Sequence, residues 1–461
     1  MNFKKCGRLL ALCTPLFLGA CASMQSHDET STLVQRASAG NNFDAGITQL
    51  DARFKSADSK KDVLYNLEKG ELLRLAGKYD ESTQAFLVAD EKVKAWESAN
   101  SGGAKAAGQV GAALISERLK TYEGYDYEKV WLTTRLALNR ISVGDLEGAR
   151  VDIKRTHERE AIIERVRAKS TADAEAEAQK KGAKTEAKEL NGYPTASLND
   201  PQVLTLKNGY QNALSHYLAG FLYEALNEPS LAAPGYRAAI ELHPGSPLLE
   251  EGLKGLDNRT SLTFKQHQNM TDVLLVVETG LAPARVSKSF FIPVPTGSTI
   301  PVVPISYPVI NPSNDPDLGQ LAVGDNVLQC DKIVDLNVMA RRELKDEMPG
   351  MILRGFTRAL AKGVMQDQLQ KNAGVMGLLA GIAISAATEK ADDRMWRMLP
   401  DRVYVARTRL PPGEHDLVVN GQKVGSVKIA GQYQVVPVRL HEGTYLLGQP
   451  GVIGQLGMPQ S

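Results

Sequence analysis

The period of the apolar residues changes once along this chain, near residue 260, and that change limits the fold more than any other feature. Up to about Leu256 the apolar positions recur at helical spacing, whereas from about Ser261 they fall in short runs ended by Thr-Gly, Pro or Asn-Gly. Such a chain is an α+β protein, helices first and strands second. At 461 residues it is long enough for more than one compact unit. We expect a helical domain over residues 41–258 and a mixed α/β domain over residues 262–461.

Composition narrows the function classes. Hydrophobic residues at 43% and charged residues at 23% are globular usage, so disorder is excluded as the general state. The 54 Lys and Arg almost cancel the 53 Asp and Glu, for a formal charge of +1. No global field attracts a polyanion, so no nucleic-acid partner is expected and any partner must be recognised locally.

The N-terminus carries Lys4, Lys5 and Arg8, then the apolar run Leu9 to Leu18, then Leu18-Gly19-Ala20-Cys21. Interrupted by Pro15, that run is too short to span a membrane, which takes roughly 20 residues. The pattern resembles a bacterial lipoprotein signal peptide. The resemblance implies removal of residues 1–20, acylation of Cys21 and a lipid anchor of several acyl chains, followed by a polar tether over residues 21–40. Ala22 stands where an aspartate would imply retention in the inner membrane, so the implied location is the outer membrane, facing the periplasm. Loss of the signal takes three positive charges from +1 and leaves −2, still near neutral. Cys6 and Cys13 leave with it, so Cys330 is the one free thiol, unable to form an intramolecular disulfide; we read it as a small apolar residue in a strand-like run, Val327 to Val334.

Within the helical region, Gly70, Leu73, Gly77, Tyr79, Ser82, Phe86 and Ala89 alternate small and large residues at fixed offsets. Small residues let two antiparallel helices approach while the large ones fill the space between them. The spacing resembles a tetratricopeptide repeat. Second and third copies lie at Ala137, Gly144, Leu146, Ala149 and Ile153, and at Gly220, Tyr223, Ala232, Tyr236, Ala239 and Pro244, where Asn227 replaces the turn glycine. The leading positions, Gly70, Ala137 and Gly220, stand 67 and 83 apart, against about 34 in a contiguous array. Insertions or degenerate repeats must fill the gaps, and an unrelated helical bundle is the alternative. One gap holds the glycine-rich run Ser101 to Gly111, which lacks the Lys-Ser/Thr ending of a phosphate loop and reads as a surface loop. The other, Glu158 to Leu190, reads as a solvated charged helix.

In the second half, Asp272 to Glu278 reads as a buried strand, Thr296 to Pro316 as a proline-punctuated edge strand or extended surface segment, and Val334 to Met339 as a strand before a helix over about 343–395. Ala373, Gly377, Gly381 and Ser385 put a small residue on one face every four positions of the apolar stretch 373–388, which suits a buried or closely paired helix and, as the alternative, self-association or membrane contact. Asp392 to Pro400 reads as a helix end, though its Trp396 and arginines are residue types that dominate interfaces. Pro411 to Ile429, with Asn420-Gly421 at its centre, is a β-hairpin that resembles small β modules of surface proteins over about twenty residues.

The seven histidines form no His-Glu-x-x-His or His-x-His, there is no Cys-x-x-Cys, and no Gly-x-Ser-x-Gly elbow is present. Adjacent carboxylates such as Asp392-Asp393 and Glu250-Glu251 point apart on a helix and read as solvated charges. No catalytic, metal or cofactor site is therefore assigned. The whole pattern resembles a family of poorly characterised proteobacterial envelope lipoproteins, which implies a scaffold or assembly factor binding an envelope protein or peptide through its helical repeats. A wall- or exopolysaccharide-binding factor is the second reading, and a hydrolase with dispersed residues the third.

Overall fold

The computed structural model describes residues 27–54, 61–101, 121–181, 185–186, 192–293, 300 and 302–456. The signal sequence, Cys21, most of the glycine-rich run and part of the 182–191 stretch lie outside the described residues, as do the side chains of 373–375 and 377–388.

Helices come first: α1 His27–Ala37, α2 Phe43–Phe54, α3 Val63–Leu75, α4 Tyr79–Ser101, α5 Asp126–Val143, α6 Leu146–Lys181, α7 Pro201–Thr205, α8 Ala213–Ala225, α9 Pro229–Leu242, α10 Pro247–Lys254, α11 Leu256–Arg259 and α12 Leu262–Gln266. Each sequence signature falls on a helical hairpin: α3–α4, α5–α6 and α8–α9. Their turns need a left-handed residue, which is Gly77 in the first (φ 75°), Gly144 in the second (φ 79°) and Asn227 in the third (φ 64°).

Strands follow: β1 Thr271–Thr279, β2 Arg285–Pro293, β3 Val302–Ile310, β4 Leu321–Val323, β5 Asn326–Leu328 and β6 Asp331–Asp335; then helix α13 Leu336–Thr388; then β7 Arg402–Leu410, β8 Gly413–Val419, β9 Gln422–Ile429, β10 Tyr433–His441, β11 Thr444–Leu447 and β12 Gly451–Ile453. The main sheet runs β11-β10-β1-β7-β6, with β12 also on β10. β1 is parallel to β10 and antiparallel to β7. A smaller sheet, β5-β4-β8-β9, contains the late hairpin, turned by Asn420 and Gly421 at positive φ as an Asn-Gly turn requires. β2 and β3 form a separate ribbon.

Alternation along β1 explains the layering. Leu274 and Val276 face the helices, together with Val403 and Val405 of β7 and Val435 of β10, in a core continuous with Phe86, Trp131 and Phe221. Val273, Leu275 and Val277 face the smaller sheet and pack on Leu417, Val419, Val427 and Ile429. Covered on both faces, β1 reads as an unbroken apolar run. The molecule is thus helices, large sheet and small sheet in three layers, and the helical half shares its core with the large sheet.

Several expectations need correction. The stretch read as tether is helical from His27, with Val34 buried, and is tied to the far end of β10: the Gly40 amide donates to Glu442 Oε2 (3.0 Å) and Phe43 packs edge-on against His441. The charged run from Glu158 is not all solvated, because Arg159, Glu160 and Ile163 are buried where α6 crosses α4 and α5. Proline-rich β3 is an edge strand but no surface segment, since α13 covers Val303, Ile305, Tyr307 and Val309. The strand expected over Val334–Met339 is β6, ending at Asp335, whose side chain caps α13 by accepting from the Val338 amide. Cys330 lies between β5 and β6 instead of within a strand, and burial pushes its thiol up to about 11. Residues 389–400 are not a helix end: after α13 stops at Thr388 the chain is irregular, yet Met395, Trp396, Met398 and Leu399 are buried.

Candidate functional site

Of the predicted packing residues, Pro244 lies after the third hairpin and the others lie within the hairpins. A Cβ on Gly70 would run into the Phe86 ring, and one on Gly220 would come within 2.8 Å of the Tyr236 ring, so the small residue is what lets each pair close. The Ser82 hydroxyl donates to the Gly70 carbonyl (2.7 Å) and accepts from Asn139 Nδ2 (2.9 Å), joining the first hairpin to the second. Tyr79, Ala137, Ala149 and Ala239 are buried, Tyr223 is half-buried under Arg150, and Pro244 is exposed in the turn after α9. Tyr79 stands at the edge of a small pocket.

The faces that would form an open concave surface, on α3, α5 and α8, are covered by this chain's own second half. Three sets of buried polar side chains make the junction. Arg135 of α5 reaches Glu71 of α3 (Nε to Oε2, 2.9 Å) and Glu278 of β1. Glu224 of α8 receives Arg259 (2.6 Å) and Arg407 of β7 (2.5 Å), and Arg407 also meets Asp272 of β1 (2.8 Å). Glu68 of α3 accepts from the Arg397 and Met398 amides (2.7 and 3.1 Å), and Glu128 of α5 from the Trp396 amide (2.6 Å). Glu68 and Glu128 thus hold the irregular segment between the halves, with Trp396 against Phe86 at 5.6 Å.

A cleft of about 460 Å³ opens beside this junction, between the start of α5, the middle of α6, α13 and the β2–β3 ribbon. Its walls combine Trp96, Tyr122, Tyr125 and Tyr307 with Lys129, Arg167, Arg285 and Arg354 and with Asp126, Asp346, Glu347 and Asp392. Lys129 lies 3.5 Å above the Trp96 ring and Arg285 4.2 Å above Tyr125. Arg167 bridges Asp126 (2.6 Å), Glu343 (2.6 Å) and Asp346 (3.4 Å). The Tyr125 hydroxyl, buried in the wall, has no hydrogen-bond partner.

Two buried carboxyls next to the cleft wall are pushed toward neutrality. Burial pushes Glu128 up to about 7 against the hydrogen bonds it accepts, and pushes Glu343 up to about 8 against the pull of Arg167. Such values mark acid–base candidates, but neither group is presented for that work. Glu128 is engaged by Tyr122 and the Tyr125 and Trp396 amides, and Glu343 by the Asp126 amide and Arg167. Asp126 moves the other way: burial would raise it, but Lys129 and Arg167 outweigh burial and lower it. The cleft offers a ligand ring faces and charges. Among the described residues no group of three His, Cys, Asp or Glu could hold a metal ion, and no helix is long and apolar enough to cross a membrane.

Sequence reasoning missed the cross-junction pairs, since Arg135 and Glu278 are 143 positions apart. The available signal was Asp272 and Glu278 at the ends of an apolar strand and Glu68 and Glu71 on the packing face of a helix. No protein-family model matches this chain, and no curated protein does.

Proposed function

We propose that this chain is an outer-membrane lipoprotein, anchored through Cys21 and facing the periplasm, that serves as a scaffold or assembly factor for an envelope complex. Its three helical hairpins are read as degenerate tetratricopeptide units, a reading supported by the small residues against rings in the first and third. The anchor rests on the Leu18-Gly19-Ala20-Cys21 sequence. The observation that carries the binding role is the junction cleft, whose ring faces and arginines are the groups that concentrate binding energy at interfaces. With the inner helical faces covered, the cleft and the outer helices α4, α6 and α9 are the surfaces left for an envelope protein or peptide. The aromatic walls also suit a sugar, which keeps a wall or exopolysaccharide partner as the second reading.

The test is site-specific photocrosslinking in intact envelopes from Thr171 and Gly350, which line the cleft, and from Val151 on the outside of α6. One protein adduct from the cleft positions, lost when Arg354 is replaced by Glu, supports the scaffold. Glycan adducts move the assignment to a polymer-binding factor, and adducts from neither surface contradict both.

A further inference from the structure

A second pocket, about 210 Å³, lies on the other side of the junction, between the α3–α4 turn and strands β10 and β11. Its ionisable lining is Arg74, Tyr79 and Arg439, with no carboxylate among the lining residues. Behind them stand Arg135, Glu71 and Glu278, so three guanidiniums share two carboxylates in a region that water barely enters. The cluster carries one uncompensated positive charge.

The geometry shows which cations are left short. Arg135 takes the close positions, 2.9 Å from Glu71 Oε2 and 3.2 Å from Glu278 Oε2, with a second contact to each glutamate. Arg74 Nη1 stands 3.5 Å from both glutamates, and Arg439 Nη1 3.6 Å from Glu278. Arg439 is 3% exposed; its Nη2 donates to the Gly280 and Met398 carbonyls, while Nε and Nη1 have no hydrogen-bond partner. A buried guanidinium with idle donors is costly unless an acceptor arrives. The same crowding shows in its titration, since burial and the neighbouring Arg135 and Arg74 bring Arg439 down to about 10 despite the two glutamates.

We propose that this pocket binds a small oxyanion, the carboxylate or phosphate group of a partner or solute, between Arg74 and Arg439. One monoanion balances the cluster, and a pocket of about 210 Å³ has room for an oxyanion with a short attachment. The Leu75, Leu446 and Leu447 side chains at its rim suit a short apolar attachment next to the anion.

The charge count gives a clean test on the full chain. Arg439→Met leaves two guanidiniums on two carboxylates, so the site becomes neutral at the loss of the Nη2 bonds to the Gly280 and Met398 carbonyls; Arg74→Gln does the same from the other wall and serves if the first variant does not fold. The thermal unfolding midpoint is measured against inorganic phosphate and against acetyl-Gly-Gly, with the acetyl-Gly-Gly amide as the uncharged control, at fixed ionic strength. We expect a saturable rise with phosphate, with the peptide acid or with both, absent with the amide, and an apparent affinity weakened about tenfold or more in either variant. A rise with phosphate alone assigns the site to phosphorylated groups, and a rise with the acid alone to chain ends or other carboxylates. No anion-dependent rise in the native chain, or an undiminished one in both variants, overturns the proposal.

Discussion

Glu68 and Glu128 are buried carboxyls, held in place by the backbone amides they receive from the 396–398 segment. Burial raises them from 4.5 to about 8 and about 7, so the folded chain keeps protons that the unfolded chain has lost. Their stabilisation is therefore complete below about pH 4.5 and is lost as pH rises through about 7 and 8. Glu278 has the opposite sign: burial would raise it, but Arg135, Arg74 and Arg439 bring it to about 2, and its contribution disappears as pH falls from 4.5 toward that value. We predict an unfolding midpoint that falls between about pH 5.5 and about pH 8.5, with a shallower fall in Glu68→Gln. A midpoint that stays level or climbs over that interval, with Glu68→Gln unchanged in slope, contradicts the raised values, since carboxyls ionised in both states contribute no slope. A packing prediction belongs to the same scale. Gly70→Ala drives a methyl into the Phe86 ring and is expected to cost about 1–3 kcal/mol, whereas a methyl on Gly425 meets nothing within 4 Å and costs little by packing. Denaturant titration of the two variants separates the cases.

At the scale of elements, turns and hairpins were legible because their chemistry is local. Asn420-Gly421 specified the β8–β9 turn, and the small residues at 70 and 220 located the helical pairs through contacts only 16 residues away along the chain. Asn227 tests the turn argument: Asn227→Val forces a β-branched residue to positive φ and should cost about 1–2 kcal/mol, while Asn227→Gly should be close to neutral in thermal unfolding. What sequence could not show was which charges would be covered. Arg159 lies in a run that looks solvated, but Asp90 (2.8 Å) and Glu97 (2.5 Å) arrive from a helix some 60 positions earlier, and paired charges tolerate burial that single ones do not. Trp396 was ambiguous for the same reason, since only the assembled junction shows that its interface is internal. Trp396→Ala should cost about 3–5 kcal/mol and loosen both halves together. An effect confined to the sheet, read by near-ultraviolet dichroism and helix content, would argue against that role.

For the whole molecule, the change of period near residue 260 correctly placed helices before strands, although helix continues to Gln266 and the sheet starts at Thr271. The three-layer arrangement was not legible, because it depends on β1 being covered by helices on one face and by the small sheet on the other. The same covering buries most of α3, α5 and α8, so under the proposed scaffold role a partner would meet the junction cleft or the outer helices. The shared core makes the helical half and the large sheet one cooperative unit. Native-state hydrogen exchange across a denaturant series tests it most directly, by comparing the opening free energies of the α5 and α8 amides with those of β1 and β7. A shared core predicts that the four elements merge into one opening reaction as denaturant rises. If β1 and β7 open several kcal/mol below the helices, by a separate reaction that leaves α5 and α8 protected, the halves are independent domains and the central claim is wrong.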